Sequence, residues 1–177
     1  SSFWNILEAV GYDFTREYYV NDAGIQMDIL CISVIIHLLK NKNIKIKMPT
    51  SGYQGQYIKI ISETIKQKIK IDQTMLSKFL PSINDAEDPE KYIDDLIENT
   101  KNIIGIKVFN KIRNQSLESI KSDIRVDLEE FGVIFDSWFS EQELENKGDT
   151  DKVLKILDEN NYLYEKEGEI WIKAEDK

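Results

Sequence analysis

Hydrophobic positions divide the chain into a short N-terminal segment that alternates helix and strand and a longer segment that is mainly helical. In the first segment, apolar spacing predicts a helix over residues 3–10 ending at Gly11, a strand over 14–20 and a helix ending near Leu39. The polar stretch 21–24 separates this strand from the second helix, which Asn21 or Asp22 can cap. Such an order is typical of one crossover in a parallel, nucleotide-binding sheet.

Apolar residues at helical spacing dominate the rest of the chain. They predict helices over residues 57–71, over 88–112 with a bend near 105, over about 116–131 and over about 151–159. Asp88 and the pair formed by Ser140 and Glu143 have the sequence of helix N-caps. A strand is predicted over 133–139, and a β-hairpin over 162–172, where Gly168 can take a positive φ.

The predicted fold class is therefore α/β. Residues 1–40 are interpreted as part of a Rossmann-type nucleotide-binding domain, made of a helix, a strand and a helix. Residues 41–177 are interpreted as a mostly helical α+β domain with a C-terminal β-hairpin.

The apolar stretch 27–39 is thirteen residues long. A membrane-spanning helix needs about 20 apolar residues, so this stretch predicts a buried helix instead. Cys31, the only cysteine of the chain, lies inside it. With no second cysteine, the chain can form no internal disulfide, and a buried, inert thiol in a reducing compartment is the expected role.

Charge is unevenly distributed along the chain. The net charge of −9 argues against nucleic-acid binding by the whole surface. Residues 40–70, however, contain eight lysines and one acidic residue. This region is either an ordinary solvated face or a rim that faces phosphates through Lys42, Lys45 and Lys47, beside which Tyr53 and Tyr57 can stack on a nucleotide. The two tyrosines can equally form a packing pair at a helix end.

No complete catalytic set occurs in the sequence. His37 is the only histidine and lies in the apolar helix, where a packed histidine is the expected role. The adjacent acids Asp94 and Asp95 point about 100° apart on a helix, so they do not converge as an acid–base pair. The sequence also lacks a phosphate-binding glycine-rich loop. We therefore predict neither a catalytic residue nor a metal ligand in this chain.

The most specific motif follows the first predicted strand. It reads Asn21-Asp22-Ala23-Gly24-Ile25-Gln26. A loop at the carboxyl end of a parallel strand is where α/β sheets bind ligands, and Gly24 allows an unusual φ or a close backbone approach. The simpler alternative is that these residues only cap the following helix.

Four motifs in the same order resemble bacterial arginyl-tRNA synthetases, a class I family. The first is the Asn-Asp-Ala-Gly-x-Gln loop, and the others lie at residues 52–58 (Tyr-x-Gly-x-Tyr-Ile), 131–144 (Phe-Asp-x-Trp-Phe-x-Glu) and 164–171, in the hairpin. Together these four motifs span nearly the whole chain. The resemblance implies an internal piece of the catalytic domain with its connective insertion, which corresponds to residues 41–177.

Several functional expectations follow from this resemblance. The parent enzyme uses ATP and Mg²⁺ to activate arginine and then transfers it to the 3′ end of its tRNA in the cytoplasm. Asn21, Asp22, Gly24 and Gln26 are expected near its active site. The candidate tRNA-contacting residues are Lys42, Lys45, Lys47, Tyr53 and Tyr57. The family's HIGH-type and KMSKS-type motifs lie outside these residues, so the fragment alone is expected to be inactive and to bind no cofactor.

Two alternatives remain open at this stage. One is a free-standing tRNA- or protein-binding module derived from a synthetase insertion, and the other is a class I synthetase of different specificity. In the isolated fragment, the apolar helix over 27–39 is expected to lose the cover of the missing sheet and to be exposed. Self-association through this helix is the expected consequence.

Overall fold

The computed structural model describes residues 2–40, 47–69 and 88–173. Its elements in chain order are α1 (Ser2–Ala9), β1 (Glu17–Val20), α2 (Ile25–Lys40), α3 (Gln56–Lys68), α4 (Pro89–Ile104), α5 (Ile106–Glu130), β2 (Ser137–Ser140), α6 (Glu141–Lys147), α7 (Asp149–Glu159), β3 (Leu163–Lys166) and β4 (Glu169–Ile172). The protein is a helix-rich α/β structure with two small sheets. Of the described helices, none is both long and apolar enough to cross a membrane.

Helix α2 forms the centre of the core. Residues 29–36 are each at most 4% exposed, because α3, α4 and α5 pack around this helix. The main partners of α2 are Ile58, Ile61 and Ile65 of α3, Leu96 of α4, and Phe109 and Ile112 of α5. A helix that is apolar on all sides must be covered on all sides, and here the chain supplies this cover itself.

The expectation of an exposed apolar helix is therefore wrong. It assumed that only a missing sheet could cover residues 27–39, whereas three helices of the same chain bury them. Self-association through this helix accordingly loses its physical basis. Cys31 is fully buried, as predicted, and its thiol donates a weak hydrogen bond to the Phe109 carbonyl at 3.6 Å.

The long helical hairpin differs from its prediction at one point. Gly105 adopts φ 79° and ψ 145°, so the predicted bend is a complete break between α4 and α5. The predicted boundary between residues 112 and 116 is absent, and α5 continues without interruption from Ile106 to Glu130. Ser116 is accommodated inside α5 because its hydroxyl donates to the Ile112 carbonyl at 2.8 Å.

Predicted helix ends are confirmed by their hydrogen bonds. The Asp88 carboxylate accepts from the Lys91 amide at 3.0 Å, and the Ser140 hydroxyl accepts from the Glu143 amide at 3.1 Å. Gly11, at φ 83°, ends α1 by donating its amide to the Glu8 carbonyl at 3.0 Å.

The two sheets each contain two strands among the described residues. β1 pairs with β2 in parallel, from Glu17 opposite Ser137 to Val20 opposite Ser140. Both strands are shorter than predicted, since the flanking residues on their N-terminal sides form irregular chain. β3 and β4 form the predicted antiparallel hairpin.

An aromatic cluster attaches α1 to the parallel sheet. Tyr18 of β1 stacks on Trp138 of β2, with ring centroids 4.4 Å apart. Phe135 meets Tyr18 edge to face at 5.2 Å and Trp4 of α1 at 5.3 Å. These pairs combine apolar burial with favourable ring geometry across three separate segments.

The core position of Phe109 leads to a stability prediction. Phe109→Ala should lower the free energy of unfolding by about 3–5 kcal/mol, because it leaves a cavity against α2. Val126→Ala on the same helix, at a side chain that is 50% exposed, should change it by less than about 0.5 kcal/mol. Urea unfolding followed by circular dichroism measures both values, and equal losses in the two variants would contradict this description of the core.

Candidate functional site

The loop formed by residues 21–24 leaves β1 at its carboxyl end. Because β1 and β2 are parallel, the carboxyl end of β2 and the start of α6 lie beside it. Gly24 has φ 75°, a conformation that favours glycine. The structure thus brings the 21–24 loop to the sheet edge that the sequence predicted.

Asp22 is buried and fixes this loop to α6. One carboxylate oxygen accepts a hydrogen bond from the Gln142 amide at 2.9 Å, and the other accepts from the Ser140 hydroxyl at 2.8 Å. The predicted role of Asp22 as a cap of α2 is therefore wrong. Its charge lies at the N-terminus of α6, where an anion is favoured by the free amides and the helix dipole.

Arg113 of α5 holds the same loop from the opposite side. Its Nη2 donates to the Asp22 carbonyl at 3.1 Å and to Gln142 Oε1 at 2.8 Å. Its Nε lies 3.5 Å from Asp28 Oδ1, and Lys101 Nζ lies 2.7 Å from Asp28 Oδ2. These five residues form a network, which we call the Asp28 network, that connects α2, α4, α5, α6 and the loop.

Asn21 and Gln26 differ from Asp22 because both side chains are exposed. Gln26 Oε1 accepts a hydrogen bond from the Tyr53 hydroxyl at 3.3 Å, while the Tyr53 amide donates to the Ser33 hydroxyl at 2.9 Å. A cavity of about 350 Å³ lies next to Gln26; it is lined by Ile25, Gln26, Ile29, Ser51, Pro89, Glu90, Ile93 and Asp94. Asn21 in the loop and Gln26 in the first turn of α2 thus present exposed side chains to a ligand.

The predicted tRNA-contacting residues are only partly described. Lys42 and Lys45 lie outside the described residues, and Lys47 is exposed. Tyr53 belongs with Gln26 at the candidate site. Tyr57 lies at the start of α3, where burial raises its pKa and nearby Tyr53 raises it further. Tyr53 therefore makes hydrogen bonds within the fold, to Ser33 and Gln26 of α2, and is not a purely surface residue.

Burial and neighbouring charges shift the pKa values of two residues of α2, His37 and Cys31. His37 is half-buried, and burial, then Lys40 and Lys59, lower its pKa. Burial raises the pKa of the Cys31 thiol, and Asp28 raises it further. Within residues 2–40, 47–69 and 88–173, the structure contains no group of three or more His, Cys, Asp or Glu side chains placed to hold a metal ion.

Sequence reasoning missed Arg113, Asp28 and Gln142. Asp28 did give a signal, since it is the only acidic residue in the apolar stretch 27–39. A charge there needs a partner, because an unpaired charge is costly to bury. The identity of the partners was not predictable, since Lys101 lies 73 positions away.

The chain is similar to known proteins both in sequence and in fold. The chain is 39% identical to an arginine–tRNA ligase from Psychrobacter arcticus over 97% of its length, and 40% identical to one from Coxiella burnetii over 96%. It spans about 30% of the length of these relatives. A solved structure of an arginyl-tRNA synthetase from Campylobacter jejuni has a TM-score of 0.68 at 22% identity, over 97% of this chain and 31% of that one. No protein-family model matches the chain.

The chain is thus related to the aminoacyl-tRNA synthetases, in sequence and in fold. Among these proteins, it corresponds to a segment of arginine–tRNA ligase. The resemblance identified from the four sequence motifs is confirmed.

The position of Asp22 yields a prediction on stability. Asp22→Ala removes the acceptor of the Gln142 amide and of the Ser140 hydroxyl, so it should lower the free energy of unfolding by about 1–3 kcal/mol. The matched change Asp127→Ala, at an exposed acidic side chain of α5, should cost less than about 0.5 kcal/mol. Urea unfolding tests both variants; an equally small effect of Asp22→Ala would show that its hydrogen bonds do not secure the loop.

Proposed function

We propose that this chain is part of an enzyme that attaches arginine to its tRNA. In this reaction, the carboxylate of arginine attacks the α-phosphate of ATP, which forms arginyl-adenylate and releases pyrophosphate. The arginyl group then passes to the terminal ribose of the tRNA with release of AMP. The substrates of the whole cytoplasmic enzyme are arginine, tRNA and ATP, and Mg²⁺ accompanies the ATP.

The similarity to arginine–tRNA ligases over 97% of the chain carries this proposal. The geometry of the 21–24 loop supports it, because the loop lies at the carboxyl edge of parallel strands, where α/β proteins bind substrates. Exposed Asn21 and Gln26 offer hydrogen bonds to a ligand, whereas Asp22 and Gly24 shape the backbone between them.

Two parts are proposed within this segment. Residues 1–40 belong to the Rossmann-type catalytic domain, and residues 41–177 to the connective insertion. The sequence has no phosphate-binding glycine-rich loop, and stabilising the reaction of a triphosphate requires prepositioned donors. We therefore assign the 21–24 loop a substrate-positioning role and no catalytic residue.

The loop assignment is tested in the complete arginine–tRNA ligase that contains this segment. Asn21→Ala and Gln26→Ala should each lower kcat/KM for arginine about 10-fold or more in arginine- and tRNA-dependent pyrophosphate exchange, as expected when a hydrogen bond to a charged or polar substrate is lost. Asn102→Ala, at an exposed side chain of α4, is the control and should leave kcat/KM unchanged. Wild-type kinetics in both loop variants would refute a substrate-positioning role.

The lysine-rich region is proposed to contact the phosphates of tRNA. Replacing Lys42, Lys45 and Lys47 by Glu in the complete ligase should weaken tRNA binding. It should also reduce the salt dependence of log K by about 0.7–0.9 per lost phosphate contact. Replacing exposed Lys91, Lys107 and Lys111 by Glu changes the net charge equally and is the control. The proposal fails if both triple variants reduce affinity and salt dependence to the same extent.

A further inference from the structure

We propose that Arg113 is a positioning residue that sets the conformation of the 21–24 loop and thereby aligns Asn21. This proposal rests on the function assigned above to the loop, and it adds a residue of α5 to the machinery of the site. The residue lies 91 positions from Asp22 in the sequence.

Arg113, Gln142 and Asp22 form a closed ring of hydrogen bonds. Arg113 donates to the Asp22 carbonyl and to the Gln142 side chain, while the Gln142 amide donates to the Asp22 carboxylate. Asp22 is thus held through its backbone and its side chain at once. The carbonyl and the carboxylate both extend from the Asp22 backbone, so holding both fixes the Asp22 α-carbon, to which Asn21 is joined by one planar peptide unit.

The shape of the guanidinium group suits Arg113 to this arrangement. A single nitrogen, Nη2, reaches both acceptors, at 3.1 Å and 2.8 Å, and Nε remains directed at Asp28. A planar group with several fixed donors can satisfy these three directions together. A lysine ammonium can pair with Asp28, but its single nitrogen at the end of a flexible chain cannot reproduce the spread of the guanidinium donors.

Asp28 explains why Arg113 is held in this orientation. Its carboxylate lies between Lys101 and Arg113, and the side chains of Asp28 and Arg113 are each 18% exposed. Lys101 also lies 4.9 Å above the Phe109 ring, which places it against the core. The orientation of Arg113 is therefore tied to the packing of α2, α4 and α5. The helical body thus determines the position of the loop through this one side chain.

The loop conformation is tested first in this chain by backbone amide hydrogen exchange. Arg113→Lys and Arg113→Ala should each accelerate exchange of the Gln142 amide about 10-fold or more, because the ring that protects it is opened. Arg113→Lys should retain most of the thermal stability through Asp28, whereas Arg113→Ala should not. Lys121→Ala removes a cation that pairs within α5 with Glu118, and it should change neither exchange nor kinetics.

The consequence for catalysis is tested in the complete ligase. Arg113→Lys should lower kcat/KM for arginine about 10-fold while the melting temperature stays near that of the wild type. A purely structural role predicts that lysine restores stability, amide protection and kinetics together, and this result would overturn the proposal. Faster exchange with unchanged kinetics would also overturn it.

These outcomes separate the two proposals. If Asn21→Ala lowers kcat/KM and Arg113→Lys does not, the loop keeps its assigned function and Arg113 loses its role. If the wild-type ligase shows arginine- and tRNA-dependent exchange but none of Asn21→Ala, Gln26→Ala and Arg113→Lys changes it, both roles are refuted. A complete protein without such activity refutes both as well.

Discussion

The structure depends on the burial of one helix that has no polar face. α2 is apolar on all sides, so it is stable only when α3, α4 and α5 surround it together. This constraint fixes the helical body and, with it, the directions from which Lys101 and Arg113 approach Asp28 in the first turn of α2. The burial of α2 thereby positions the ion pairs of Asp28 with Lys101 and Arg113 at the N-terminal end of this helix.

Features that depend on residues close in sequence were predicted correctly, whereas features that depend on distant residues were not. The Asp88 and Ser140 caps each join residues three positions apart, and the C-terminal hairpin pairs residues three to nine positions apart; these local features were predicted correctly. The break at Gly105 was expected only as a bend, since apolar spacing continues across it. The location of the loop was also predicted, because the carboxyl end of a parallel strand is a known ligand-binding position.

The remaining features depend on distant partners. Asp22 has the sequence context of a cap for the helix that follows it, but its carboxylate binds an amide 120 positions away. Local propensity cannot distinguish these two uses of an aspartate, because both place a carboxylate at a helix N-terminus. The same limit explains why α2 was wrongly expected to be exposed. The local pattern predicted the helices that bury it, but it gave no information on where these helices pack.

The pairing of β1 with β2 has a further consequence for the order of folding. Parallel neighbours need a crossover connection, and here the whole helical body serves as that connection. The entropic cost of joining strands so far apart falls once the intervening helices have packed. From chain entropy we expect the sheet edge and its loop to form late in folding. A nascent chain would then form its helical body before the loop to which we assign substrate positioning.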